Sequence, residues 1–218
     1  MGSQQAVWDA LAQVGKALGN GHRLVILDRL AQSDLSVDAI AQSVNLPVAN
    51  VSQHLQLLRR AGLVNASRHG KQVVYRLTDN RTVSVIDLLR QVAETHVADV
   101  AKLASGLFTD EHAKSDFDVV SREELLAGLQ QQSILLLDVR PAHEFDHGHL
   151  PNAVNAPMAS LATMLDQLPT DIDIVAYCRG PYCVFSHQAV LLLTEKGFRV
   201  RRYEEGFPQW KAAGLPIE

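Results

Sequence analysis

Cysteine is nearly missing from this 218-residue chain, which carries Cys178 and Cys183 alone. Two cysteines five positions apart exclude a disulfide-stapled scaffold and read as a local chemical feature. No run of eighteen apolar residues occurs, so no membrane-spanning helix and no membrane partner are expected. Met1-Gly2-Ser3 lacks the basic and apolar pattern of an export signal, and the expected location is the cytoplasm. Repeats and low-complexity tracts are absent. A strong charge is missing too: the formal net charge is −4. Residues 1 to 110 hold 11 basic against 9 acidic side chains, and residues 111 to 218 hold 9 against 15. Any nucleic-acid contact by the first half must therefore depend on local placement of Arg and Lys and on dimerisation, and the acidic second half is not expected to make one.

Both cysteines fall in one short stretch, Tyr177-Cys178-Arg179-Gly180-Pro181-Tyr182-Cys183. Before it, Ile172 to Tyr177 is short and rich in β-branched residues, as a buried parallel strand requires. After it, Val184 to Lys196 has helical periodicity. Cys178 is thus expected at a strand end facing loop amides and the first turn of a helix. Unpaired N–H groups and the helix dipole there favour a thiolate. Arg179 adds a nearby positive charge.

These residues and their surroundings resemble the rhodanese (sulfurtransferase) domain from about Asp118 to Glu218. The resemblance is carried by Leu136-Leu137-Asp138-Val139-Arg140-Pro141, Glu144-Phe145, Gly148-His149-Leu150-Pro151-Asn152-Ala153 and Gly206-Phe207-Pro208-Gln209-Trp210-Lys211-Ala212-Ala213-Gly214-Leu215-Pro216. It implies an α/β domain with a parallel sheet and a Cys178 nucleophile that takes sulfane sulfur from a small-molecule donor. Arg179 and Cys183 belong to that site, with Gly180 and Tyr182 in the loop backbone, and neither metal nor cofactor is implied. Many loops of the family end in a basic residue or a hydroxyl. This one ends in Cys183, which weakens the case for anionic donors such as thiosulfate and leaves two readings, a resolving thiol or a small residue at the helix start. Asp138 and Arg140 read as a structural pair and His149 as a hydrogen-bonded turn residue. His143, His147 and His149 together are weak as a zinc site.

The first half differs. Apolar positions Val7, Leu11, Val14 and Leu18, then Leu24, Ile26, Leu27 and Leu30, recur with helical spacing, and no strand-like alternation appears before residue 64. Residues 36–44 form a short helix, Asn45-Leu46-Pro47 a turn, and residues 48–61 a second helix ended by Gly62, which together read as a helix-turn-helix. Val51, Leu55 and Leu58 form its inward stripe. Ala49, Gln53, Gln56 and Arg60 face outward with Asn50 and Ser52 on the flanks, side chains able to reach base edges and phosphates. His54 reads as packing. Residues 63–68 and 71–77 pair around His69-Gly70 as a wing whose tip, Arg68, His69 and Lys71, is placed to touch a DNA backbone or minor groove.

Leu18-Gly19-Asn20-Gly21-His22-Arg23-Leu24-Val25-Ile26-Leu27, Val51-Ser52-Gln53-His54-Leu55 and Leu58-Arg59-Arg60-Ala61-Gly62-Leu63-Val64 resemble the ArsR family of winged-helix repressors over about residues 5 to 105. The resemblance implies a homodimer that binds double-stranded operator DNA and responds to a ligand. Founding members sense arsenic or metals through cysteines before the recognition helix. Asp34 to Val44 holds none, which excludes that site. Asp87, His96 and Asp99 depart from the spacing of the family's second metal site. A long helix is expected over 81–107, its excess apolar surface buried against a twin.

The expected organisation is two domains: an all-α-plus-wing winged helix-turn-helix over 1–108 and an α/β rhodanese-like domain with a parallel sheet over 118–218. A polar linker at 109–117 joins them, and a Ser121–Glu124 capping box opens the second. The expected function is a DNA-binding repressor whose second domain detects persulfide or polysulfide through Cys178, with Cys183 in attendance. The alternatives are a sulfurtransferase enzyme working through a Cys178 persulfide and, less favoured, a sensor of arsenic or another thiophilic metal.

Overall fold

The computed structural model describes residues 2–108 and 118–218; the expected linker at 109–117 lies outside the described residues. The chain divides into two compact units, Met1–Leu88 and Leu89–Glu218.

The first unit runs α1 (Gly2–Leu18), α2 (Gly21–Gln32), β1 (Leu35–Ser36), α3 (Val37–Val44), α4 (Val48–Arg60), β2 (Val64–His69), β3 (Gln72–Leu77) and the start of α5 (Arg81–His96). Of its helices, α2 and α3 begin where side-chain acceptors replace missing carbonyl partners. The Arg23 amide donates to Asn20 and the Ala39 amide to the Ser36 hydroxyl, both at 3.2 Å. Asn45, at φ 52°, ends α3 in the left-handed conformation that asparagine tolerates, turning the chain toward α4. Val51, Leu55 and Leu58 are fully buried with Ile26, Leu27 and Ile40, so the inward stripe is the core.

β2 and β3 pair antiparallel from Val64↔Leu77 to His69↔Gln72, leaving Gly70-Lys71 as a two-residue turn. Gly70 takes φ 61° there, a conformation a side chain would strain. One strand lies earlier than the alternation indicates: β1 adds to the wing through Leu35↔Tyr75 and Ser36↔Val74. Two residues are too few for a period-two signal to register. The helix expected over 81–107 is instead two helices, α5 and α6 (Ala98–Gly106). Val97 breaks it at φ −119°, ψ 100°, an extended conformation suited to a β-branched residue.

The second unit holds the end of α5, α6, β4 (Val119–Val120), α7 (Arg122–Gln131), β5 (Ile134–Asp138), α8 (Ala142–Phe145), β6 (Val154–Asn155), β7 (Asp173–Tyr177), α9 (Val184–Glu195), β8 (Val200–Tyr203) and α10 (Phe207–Ala212). Its five-stranded sheet has the order β4-β8-β7-β5-β6, parallel throughout. Ser121 and Glu124 form the expected capping box of α7. Successive side chains of β7 point to opposite faces. Ile174, Ala176 and Cys178 pack with Ala189, Val190 and Leu193 of α9. Val175 and Tyr177 pack on the other side with Leu125, Phe207 and Trp210. A strand covered on both faces must be apolar along its length, which is why residues 172–177 read as buried. No helix among the described residues is long and apolar enough to cross a membrane.

Candidate functional site

Open parallel sheets bind ligands beyond the carboxyl ends of their strands. Cys178 occupies that position on the central strand β7, where it is 1% exposed. The loop returns within five residues, and Cys178 and Cys183 are joined as a disulfide with their Cα atoms 6.3 Å apart. Cys183 stands at the N-cap position of α9 without a side-chain capping bond. Both sulfurs therefore lie at the amino end of a twelve-residue helix.

The loop is held from several directions. The Cys183 amide donates to the Gly180 carbonyl (3.0 Å) and the Phe207 amide to the Cys178 carbonyl (3.3 Å). Gly206 lies so close beneath the loop that a Cβ there would collide with the Arg179–Gly180 peptide. Arg179 Nε donates to both carboxylate oxygens of Glu144 at 2.9 and 3.0 Å, and Glu144 is 4% exposed. The charge of Arg179 is thus shared with a buried carboxylate, and its guanidinium lies 5.5 Å from the Phe185 ring centre. Arg202, also buried, donates through Nη2 to the Pro181 carbonyl (3.0 Å) and through Nε to the Ser186 hydroxyl (3.1 Å). Burial lowers its pKa against the opposing charge of Glu204. Tyr182 is exposed, and its hydroxyl donates to Glu94 at 2.7 Å.

Asp138 and Arg140 form a fully buried pair. Arg140 donates to Asp138 from its amide (2.9 Å), Nε (3.0 Å) and Nη2 (2.6 Å), and to the Gly148 carbonyl at 2.8 Å. The Tyr177 hydroxyl donates to Asp138 at 2.6 Å and accepts from the Leu150 amide at 3.1 Å. Burial opposes the charge of Arg140, but the Asp138 carboxylate outweighs it and raises the guanidinium pKa. Burial also pushes the Tyr177 phenol far up, with Asp138 adding to it. The bonds of Asp138, Arg140 and Tyr177 join β5, β7 and the turn at Gly148–Leu150 to one another. His149 Nδ1 lies 3.1 Å from the Phe145 carbonyl, and its ring stacks on Phe145. Among the described residues, no three His, Cys, Asp or Glu side chains come together as metal ligands.

In the first unit, Ala49, Asn50, Gln53, Gln56 and Arg60 of α4 are exposed and Ser52 is half-buried, all off the buried stripe. Arg68, His69 and Lys71 are exposed at the wing tip. There Arg68 Nε donates to the Gly70 carbonyl (3.2 Å), and His69 Nε2 lies 3.1 Å from the Ser67 hydroxyl. His54 is half-buried, its ring centre 5.7 Å from that of His22. Burial first, then the charges of Arg23 and His22, lower its pKa.

Four residues escape a local reading: Glu94, Glu144, Arg202 and Gly206. Gly206 and Glu144 sit inside recognisable segments, and the other two carry no local signal because their partners are distant in sequence.

A winged helix-turn-helix together with a parallel α/β domain bearing a strand-end cysteine defines a DNA-binding transcriptional regulator with a rhodanese domain. Residues 18–65 match the helix-turn-helix domain model and residues 121–213 the rhodanese-like domain model. The chain is 42% identical to the HTH-type transcriptional regulator Rv0324 of Mycobacterium tuberculosis, over 98% of its own length and 92% of that protein's. It is 33% identical to a sulfurtransferase of Allochromatium vinosum, over 47% of this chain and 94% of that one. Among solved structures, it is similar to the homodimeric winged helix-turn-helix DNA-binding domain (fragment 1-100) of Mb0332 from Mycobacterium bovis. That likeness has 40% identity, covers 44% of this chain and 88% of that one, and has a TM-score of 0.41. The chain belongs to the HTH-type transcriptional regulators in which an ArsR-type winged helix precedes a rhodanese-like domain.

Proposed function

We propose that this regulator detects reactive sulfur through Cys178, with Cys183 as the resolving thiol. The observation that carries the reading is the bridge itself: two cysteines at the amino end of α9, close enough to join, at the carboxyl end of the central strand. The Cys178 thiolate attacks the outer sulfur of a persulfide R–S–SH, the donor S–S bond breaks, R–S⁻ leaves, and Cys178–S–SH forms. The Cys183 thiolate then attacks the Cys178 sulfur, and HS⁻ departs with the bonding pair. The protein dithiol loses two electrons and the sulfane sulfur gains them. If a second donor first lengthens the persulfide by one sulfur, attack on its middle sulfur gives a trisulfide and again releases HS⁻. Excess reducing thiol returns both cysteines.

On the DNA side, α4 enters the major groove with Asn50, Ser52, Gln53, Gln56 and Arg60, and Arg68, His69 and Lys71 of the wing meet the backbone. A homodimer is supported by the apolar side chains left exposed on α1, Val7, Trp8 and Leu11, and on α5, Val85, Leu88 and Val92. The likeness of the second unit to a sulfurtransferase favours a second reading, an enzyme that turns over sulfane sulfur.

The test is operator affinity by fluorescence anisotropy at fixed salt, reduced against polysulfide-treated chain. The expected result is a thiol-reversible change of roughly 5- to 150-fold, abolished by Cys178→Ser with basal binding kept. A full response in Cys178→Ser would remove Cys178 from the mechanism. Turnover of thiosulfate and cyanide at about 1 to 1000 per second would favour the enzyme.

A further inference from the structure

Within the sulfur loop, Tyr182 is fastened to α5, and Pro181 to Arg202 of β8, which lies against Phe108 just after α6. The Tyr182 hydroxyl donates to Glu94 Oε1 at 2.7 Å, and Glu94 Oε2 accepts from Arg90 at 2.7 Å, so the Tyr182 contact is with a carboxylate already fixed on α5. The Pro181 carbonyl accepts from Arg202, whose guanidinium lies 4.6 Å from the centre of the Phe108 ring just after α6. Phe108 also packs on His187 of α9, ring centres 5.4 Å apart. A groove of about 300 Å3, bordered by Arg90, Ala101, Ser105, Phe108, Tyr182 and Glu204, lies beside these contacts and leaves the loop room to move. α5 continues without a break from Glu94 back to Arg81, where Thr82 and Val83 are buried in the first unit.

We infer that Tyr182–Glu94 and Pro181–Arg202–Phe108 form a latch that reports the covalent state of the Cys178–Cys183 loop to α5 and α6. The inference rests on the reading of Cys178 as a sulfur sensor and names how that site regulates DNA binding. Pro181 and Tyr182 lie between the two sulfurs, so the length of the bridge sets their position. A disulfide ties the loop ends through one S–S bond of about 2 Å, a trisulfide inserts a second such bond, and a dithiol removes the tie. A displacement of about 1 Å at the Tyr182 hydroxyl is enough to break its 2.7 Å hydrogen bond, because hydrogen bonds fail beyond roughly 3.5 Å. A bistable contact of this kind is what coupling requires, since the loop state must change the free energy of the helix arrangement.

The test uses full-length protein and inorganic polysulfide. Glu94→Ala removes the Tyr182 acceptor from an α-helical position that alanine favours. It is expected to form the bridge in the same yield by mass spectrometry and to bind operator normally when reduced. The fold-difference between its reduced and oxidised affinities, whichever is tighter, should be smaller than that of wild type by about 2- to 10-fold. Arg90→Ala breaks the neighbouring ion pair, leaves the Tyr182 contact, and should keep the larger part of the response. Equal responses in wild type and Glu94→Ala overturn the latch alone. A wild-type chain that bridges without any change in operator affinity overturns both the latch and the sensing reading. As a measurement free of mutation, amide exchange over residues 90–106 should differ between reduced and bridged wild type. Identical exchange in the two states also overturns the latch.

Discussion

Replacing Gly206 by alanine tests whether packing beneath the sulfur loop sets its geometry. Gly206 has φ −115° and ψ −174°, extended backbone that any residue adopts, so the substitution carries no conformational strain. Its whole effect comes from the added methyl group, which would occupy the space of the Arg179–Gly180 peptide. A backbone cannot rotate aside as a side chain does, so the loop or the start of α10 must move. Overpacking of this kind costs about 1–3 kcal/mol, and loss of the Phe207 amide bond to the Cys178 carbonyl adds about 1 kcal/mol. For a unit near 130 residues, a total of about 2–4 kcal/mol lowers Tm by roughly 6–16 °C. Trp210 is buried in this unit and Trp8 is exposed on α1, so Trp210 emission reports the second unit as it melts. The bridging rate with polysulfide should fall in the same variant. A melting temperature within about 2 °C of wild type, with an unchanged bridging rate, would refute the claim that this contact fixes the loop.

Two further outcomes follow from the buried network. Asp138→Ala leaves Arg140 buried without its carboxylate and strips the Tyr177 hydroxyl of its acceptor, so a loss of about 3–5 kcal/mol is expected in urea denaturation. A loss below about 1 kcal/mol would show that the pair does not hold the sheet. The phenols of Tyr177 and Tyr203 have raised pKa values in the fold, chiefly through burial, with Asp138 assisting the first and Glu205 the second. Their contribution is fully present below the unfolded value near 10 and is lost as pH rises above it, because the unfolded chain releases those protons first. Stability should therefore fall by about 1.4 kcal/mol per pH unit for each tyrosine above pH 10, measured by urea denaturation at stepped pH. A flat profile between about pH 10 and 12 would contradict that burial.

Much of this fold is legible because its signals are local. Val51, Leu55 and Leu58 recur on one helix face, Gly70 marks the wing turn, and the apolar run before Cys178 announces a strand covered on both sides. What is not legible depends on distance along the chain or on very short elements. Leu35 and Ser36 pair with residues some forty positions later, and two residues show no alternation. The break at Val97 is hidden because the apolar pattern continues across it. Tyr182 and Glu94 are 88 positions apart, and neither residue type alone foretells the other. Arg179 reads as a free charge until Glu144, which lies 35 positions earlier, comes beside it.

The alternation along β7 has a consequence for how such a domain can diversify. Tyr177 and Cys178 are neighbours in sequence but belong to opposite faces of the sheet, one tied into the Asp138 knot and the other opening into the loop. The side chains of the Asp138 knot and that of Cys178 thereby lie on opposite sides of one layer of backbone. Substitution within residues 179–183 can alter the loop while Val175 and Tyr177, on the other side of the strand, go on packing the same core.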